Sequence, residues 1–191
     1  MATTQPIRQK EDISLMKKYF LEKKEYRNYT LITLGVNTPL RISDMLLLTW
    51  QDVYIQNKNR WRRHITVIEQ KTGKTSIIAL NKASIRALEL LYNDRKPSPT
   101  DYIFKSRNTE NKPICRSRAY SIIRTAAEEI GLEDRIRCHS LRKTYGYHAW
   151  KNGVPPAVIM EIYNHSSIEI TKRYLSINQD EKDSVTLSLN L

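Results

Sequence analysis

The 191-residue chain carries 32 Lys+Arg against 20 Asp+Glu, a formal charge of +12, which favours a polyanionic partner, nucleic acid ahead of a lipid surface. No stretch reaches the roughly 18 consecutive apolar residues of a spanning helix, and the opening MATTQPIRQKED has no apolar signal-peptide core. Cys115 and Cys138 form no CxxC pair, so reduced thiols and a cytoplasmic, membrane-free location are expected.

From Asp12, the apolar residues Ile13, Met16, Tyr19 and Phe20 recur at helical spacing, and a second helix follows through Leu31, Ile32 and Leu34. Thr38 and Pro39 read as a helix start, with Arg41 in the first turn. The runs DVYI, HITVIEQ and TSIIAL are β-branched and broken by Thr72-Gly73-Lys74. They predict one small antiparallel sheet with a hairpin and residue 71 at its tip. Asn81 is placed to cap a helix bearing Ile85, Leu88, Leu91 and Tyr92, and KPSPTD ends it. Further helices are expected over about 116–131 and 140–153, and in PPAVIMEIY and SIEITKRYLSI, the last capped by Ser167. Val185, Leu187, Leu189 and Leu191 alternate at strand period in the final segment. No repeat or low-complexity tract appears, and the expected fold class is α+β, mostly helical.

Within CHSLRKTYGYHAW, His139 and Arg142 stand three residues apart, about one turn along one helix face, where both can point at a single anion. The plain alternative is a helix-start histidine beside a solvated arginine. Three further stretches bear on the choice: TPLRISDMLLLTW, EQKTGKTSIIAL and NHSSIEITKRYL. In order, spacing and expected context, the four together resemble the signature of the tyrosine recombinase (phage integrase) family over about Asp12 to Leu175. The resemblance implies that Arg41 is the first catalytic arginine, Lys71 the hairpin lysine, and His139 and Arg142 the HxxR pair. It likewise implies that His165 is the second histidine and Tyr174 the nucleophile, with Asp44 as an accessory acid, an exposed ion pair with Arg41 being its plainer reading. Pro39 and Asn164 stand where the family usually has glycine, and asparagine tolerates left-handed angles.

A phenol with a pKa near 10 is less than about 1% ionised at neutral pH, so Tyr174 needs a base and a cationic surrounding. A pair of guanidiniums can hold the phosphate oxygens. His139 is the expected base and Lys71 the expected acid at the departing 5′ oxygen. No metal and no cofactor is expected, because these motifs bring no carboxylate cluster of the kind that metal-assisted phosphoryl transfer uses. GKT at 73–75 resembles the end of a phosphate-binding P-loop, but the motif needs glycine where Ile68 stands. Trp50, Trp61 and Trp150 read as core or half-buried aromatics.

The function expected is site-specific recombination through a 3′-phosphotyrosine intermediate. The alternatives are a topoisomerase-like nicking and closing enzyme and a non-catalytic DNA-binding regulator. The expected organisation is a catalytic domain over 1–178, no N-terminal clamp domain, and a tail over 179–191 exchanged between protomers. The expected partners are double-stranded DNA, further copies of the chain in a tetramer on DNA, and an accessory DNA-binding protein. With a charge of +12, binding to duplex DNA should fall steeply with salt. Proteins making roughly 6 to 10 phosphate contacts lose about 1000- to 100,000-fold in affinity between about 50 and 200 mM salt. A titration across that range checks it, and an affinity indifferent to salt would remove the electrostatic argument.

Overall fold

The computed structural model describes residues 4–107, 109–132 and 135–189, apart from the side chains of 178, 179 and 181. Two helices in contact open it, α1 (Lys10–Glu22) and α2 (Tyr26–Asn37). The periodic Met16 and Phe20 are the buried residues of α1, and α2 buries Leu31, Ile32 and Leu34. Two short helices follow, α3 (Ile42–Leu46) and α4 (Trp50–Val53).

Strand β1 (Tyr54–Ile55) pairs with β2 (Arg60–Trp61), and β3 (His64–Ile68) with β4 (Thr75–Ala79), both antiparallel. Helix α5 (Lys82–Arg95) is capped by the Asn81 side chain, which accepts from Ser84 N at 2.9 Å. Beyond it lie α6 (Arg116–Glu129), α7 (Cys138–Lys151), α8 (Pro156–Tyr163), α9 (Ile168–Leu175) and α10 (Asn178–Ser188). Ser167 caps α9 by accepting from Ile170 N at 3.2 Å. The mostly helical α+β expectation holds. No helix among the described residues is long and apolar enough to cross a membrane.

Three local readings are corrected. Thr38 and Pro39 do not start α3: Arg41 is its N-cap, with extended backbone angles, and Ile42 is its first residue. The Thr38 hydroxyl instead donates to Leu34 O at 2.7 Å, finishing α2. The run DVYI does not join the hairpin sheet. Thr49 and Asp52 form a capping box that makes residues 50–53 helical, leaving Tyr54 and Ile55 to pair with Trp61 and Arg60 in a separate ribbon. The tail is helical from Asn178 to Ser188, not a strand. A lone strand without a partner edge leaves its backbone groups unpaired, whereas a helix pairs them internally. Leu191, part of that strand reading, lies outside the described residues.

The apolar side chains form two clusters. The larger gathers α1 to α6, the hairpin and Leu141 of α7; the smaller is built from Tyr147, Ile159, Tyr163, Leu175 and Ile177. Helix α7 belongs to both, which explains why so few of its surfaces are solvated: Ser140, Arg142, Lys143 and Thr144 are all buried polar residues. Close approach on each side needs glycine. A Cβ at Gly35 of α2 would stand 2.5 Å from Leu141 Cδ1, and one at Gly146 of α7 would stand 2.5 Å from Tyr163 Oη and 2.6 Å from Leu175 Cδ2. Gly146→Ala is therefore expected to destabilise the fold by roughly 1–3 kcal/mol through overpacking, despite a helix-propensity gain of about 1 kcal/mol. Urea unfolding measures it, and a midpoint at or above wild type would mean that α8 and α9 yield easily around α7.

Candidate active site

One open cavity of about 680 Å³ is lined by Arg41, Lys71, His139, Arg142, His165 and Tyr174. Six residues drawn from four separated segments thus converge, and Arg116, the first residue of α6, joins them. Arg41 reaches the cavity because it is the N-cap of α3. Lys71 lies in the turn between β3 and β4, where Gly73 N donates to Glu69 O at 2.8 Å. His139 and Arg142 project from the first turns of α7, whose start is fixed by Arg137 N donating to Ser140 Oγ at 3.0 Å. Arg142 is only 4% exposed, so the solvated-arginine alternative does not apply.

His165 follows the end of α8, which closes on Asn164 at φ 55°, with His165 N donating to Met160 O at 3.0 Å. Asparagine thus supplies the left-handed turn there. Pro39, in contrast, occupies a position without positive φ. The Thr171 hydroxyl lies 3.2 Å from Ser167 O and 3.0 Å from His165 Nδ1, so it holds the imidazole ring in place beside the start of α9. With Nδ1 engaged by Thr171, Nε2 is left for the cavity, and it carries a proton whenever the ring is charged.

The aromatic rings hold the charged groups at fixed angles. Tyr163 is fully buried and its hydroxyl donates to Arg142 O at 2.6 Å, while the Arg142 guanidinium carbon stands 4.6 Å from its ring centroid. The half-buried Tyr174 packs edge-on, 5.5 Å from Tyr163 and 5.1 Å from His165 between ring centroids. Burial pushes the Tyr174 phenol above the ordinary tyrosine value, and Arg142 and Arg41 pull against that shift. Burial and the same two arginines push His165 below the ordinary histidine value. His139 is also lowered, by partial burial and then by Arg116 and Arg142, which favours the neutral imidazole that can accept a proton.

Asp44 is not an exposed partner of Arg41. It is 3% exposed, outside the cavity lining, and its Oδ1 accepts from Gln70 N at 3.0 Å, pinning the hairpin beside α3. The ion-pair partner of Arg41 among the described residues is Glu69, at 2.5 Å. Sequence reading missed Glu69, although a signal exists: Ile65, Val67 and Glu69 fall on the inward positions of the hairpin strand, and a carboxylate in that register calls for a buried cation. Glu69 also accepts from Thr72 Oγ1 at 2.7 Å and Ser76 Oγ at 3.1 Å. Burial acts to raise its pKa, but hydrogen bonds from Thr72 and Arg41 outweigh it and hold the carboxyl below the ordinary glutamate value. A depressed carboxylate stabilises the fold above its unfolded pKa, near 4.3, and that contribution is lost as pH falls through the lower folded value. Glu69→Gln should therefore cost roughly 1–3 kcal/mol near neutral pH, and the gap from wild type should close as the medium is acidified below about pH 4. Urea midpoints over a pH series measure this; a gap independent of pH would show that charge is not what Glu69 contributes.

The phage integrase family model matches residues 6–181. A probable integrase/recombinase, YoeC of Bacillus subtilis (strain 168), is 42% identical over 180 residues, covering 94% of this chain and 93% of that protein. The type 1 fimbriae regulatory protein FimE of Escherichia coli (strain K12) is 31% identical over 156 residues, covering 80% and 75%. Among solved structures, the XerA recombinase superposes with a TM-score of 0.75 at 20% identity over 100% of this chain and 66% of that one. XerH bound to palindromic difH substrate gives 0.75 at 17% identity over 97% and 53%. The chain thus spans about half to two thirds of the solved chains it resembles. With its motifs on the expected elements and the match running nearly end to end, this chain belongs to the phage integrase family of site-specific tyrosine recombinases.

Proposed function

We propose that the chain breaks and rejoins DNA by transesterification, with Tyr174 as nucleophile, and needs neither a metal ion nor a nucleotide. The observation that carries this is the convergence of Arg41, Lys71, His139, Arg142 and His165 on the cavity that Tyr174 lines. Double-stranded DNA is the substrate, as the charge of +12 favours. The similar XerH was solved on its difH substrate in a post-cleavage complex.

Arg41 and Arg142 hold the non-bridging oxygens of the scissile phosphate, and His165 adds a donor once protonated. An anion between the two arginines offsets the repulsion that lowers the His165 pKa. The Tyr174 oxygen attacks phosphorus, its proton passing to His139, while the bond from phosphorus to the 5′ oxygen breaks and Lys71 protonates the departing oxygen. The product is a 3′-phosphotyrosine and a free 5′ hydroxyl, and one phosphoester replaces another. A 5′ hydroxyl from a second strand reverses the step on a new partner, giving exchange rather than hydrolysis. Exchange between two sites requires several copies on DNA, a tetramer in this proposal, and the exposed Val185 and Leu187 of α10 offer apolar surface for such assembly.

A cognate duplex nicked close to the cleavage point lets the short 5′ fragment diffuse away and traps the adduct. The wild-type chain should form a denaturant-resistant protein–DNA species without added metal, and Tyr174→Phe should form none while binding the same DNA with similar affinity. Arg142→Ala should react roughly 100- to 1000-fold more slowly. An adduct formed equally well by Tyr174→Phe would remove Tyr174 as nucleophile.

A further inference from the structure

Lys143 follows Arg142 on α7, and the reaction above assigns it no part. It is 5% exposed, a rare setting for an ammonium group. Its Nζ donates to Thr4 O at 2.6 Å and stands 5.3 Å from the centroid of the Tyr174 ring. No carboxylate among the described residues forms an ion pair with it.

Thr4 belongs to an arm over 4–8 that lies along α7 and is tied down repeatedly. Ile7 N donates to Thr144 Oγ1 at 2.8 Å, and His148 Nε2 stands 3.0 Å from Ile7 O. Arg8 then reaches the end of α9, donating to Ser176 O at 3.3 Å and pairing with Asp180 at 3.5 Å. The arm joins α7 to the end of α9 and the start of α10, with Lys143 and Tyr174 between them.

We propose that Lys143 is a positioning residue for the nucleophile: clamped by the Thr4 carbonyl over the Tyr174 ring, its ammonium favours the phenolate and raises the fraction of attacking oxygen. The proposal rests on Tyr174 being the nucleophile. A cation over an aromatic face is attracted to the ring, and more strongly when deprotonation spreads negative charge into it. Exclusion of water from Lys143 strengthens the effect relative to a surface pair. The other groups around Tyr174 are Arg142, beside Lys143 on α7, Arg41 of the cavity, Tyr163 of α8 and His165 of the loop between α8 and α9. Lys143 itself faces Arg8 of the arm and acts on His139. None of these carries a negative charge at neutral pH, and the nearby carboxylate Asp180 is paired with Arg8, so Lys143 has no carboxylate counter-charge among the described residues and adds to the two arginines in favouring the phenolate.

The test is the pH dependence of single-turnover adduct formation on the nicked duplex at saturating protein. Lys143→Gln keeps a donor for Thr4 O but no charge, and Lys143→Arg keeps the charge. The glutamine variant should react about 10-fold more slowly at pH 7, with the rising limb of its profile displaced about one unit to higher pH. The arginine variant should keep the wild-type limb, and both should bind DNA and melt as wild type does. A 3-fluorotyrosine at position 174, with its more acidic phenol, should restore the glutamine variant at pH 7. The proposal is overturned by a glutamine variant with wild-type rate and limb. It is equally overturned by a slowing that is the same at every pH, that arginine shares and that fluorotyrosine does not relieve, since that pattern belongs to a structural role. Absence of any wild-type adduct on the cognate site would overturn the nucleophile assignment, and this proposal with it. An adduct in wild type together with an unshifted glutamine variant would overturn this proposal alone.

Discussion

The site depends on how α7 is held between two apolar clusters. Leu141 packs against Gly35 on one side, and Gly146 lets Tyr163 and Leu175 come within a Cβ's reach on the other. This double contact buries the backbone that carries Arg142 and Lys143, and places α8 and α9 so that Tyr163 and Tyr174 lie against it. Tyr163 links packing to chemistry, since its ring faces the Arg142 guanidinium while its hydroxyl donates to the Arg142 carbonyl. A buried arginine stays charged but loses hydration, and the ring face, the cavity and an incoming phosphate share the work of replacing water.

Charge in the site is unbalanced in one direction. Arg41, Lys71, Arg116 and Arg142 line the cavity, and the carboxylate paired with this set is Glu69, on Arg41. Both cavity histidines are pushed toward neutrality and the tyrosine toward its protonated form by burial, with neighbouring arginines deepening the first effect and resisting the second. A phosphodiester relieves this repulsion, so substrate binding and protonation state are coupled through the same arginines. Glu69 and Asp44 serve a mechanical purpose as well. One carboxylate ties the hairpin to Arg41 and the other ties Gln70 to α3, so the turn bearing Lys71 is anchored at two points.

The N-terminal arm extends the same logic to the helix that carries Tyr174. Its backbone supplies the acceptor for a buried lysine and the donor for Thr144, and Arg8 bridges to the residue after α9. Helix α9, which carries Tyr174, is thus fastened at its start by the Ser167 cap and near its end by a segment more than 160 positions away in the chain, as the 168-residue separation of Arg8 and Ser176 shows.

Much of this protein was legible because the information is local. Helical periods, the Asn81 and Ser167 caps, the β-branched hairpin and the HxxR spacing involve residues within one or two turns of one another, and hydrogen bonds at that range are set by neighbouring side chains. The six residues that line the cavity were singled out through their motifs, by resemblance, since no periodicity says that four distant segments share a cavity. Tertiary structure decided what depends on contacts across the chain. Arg41 pairs with Glu69, 28 positions away, rather than with its helical neighbour Asp44. Val185 and Leu187 of the tail fall in a helix, since no strand edge among the described residues pairs with that segment, and Lys143 becomes an interior cation where the arm and the Tyr174 ring lie against it. The sequence by itself determined the elements and the chemical groups they carry. Only the folded chain decided which charges lose their water and which partner each then meets, because desolvation is a property of the whole packing and not of any stretch of residues.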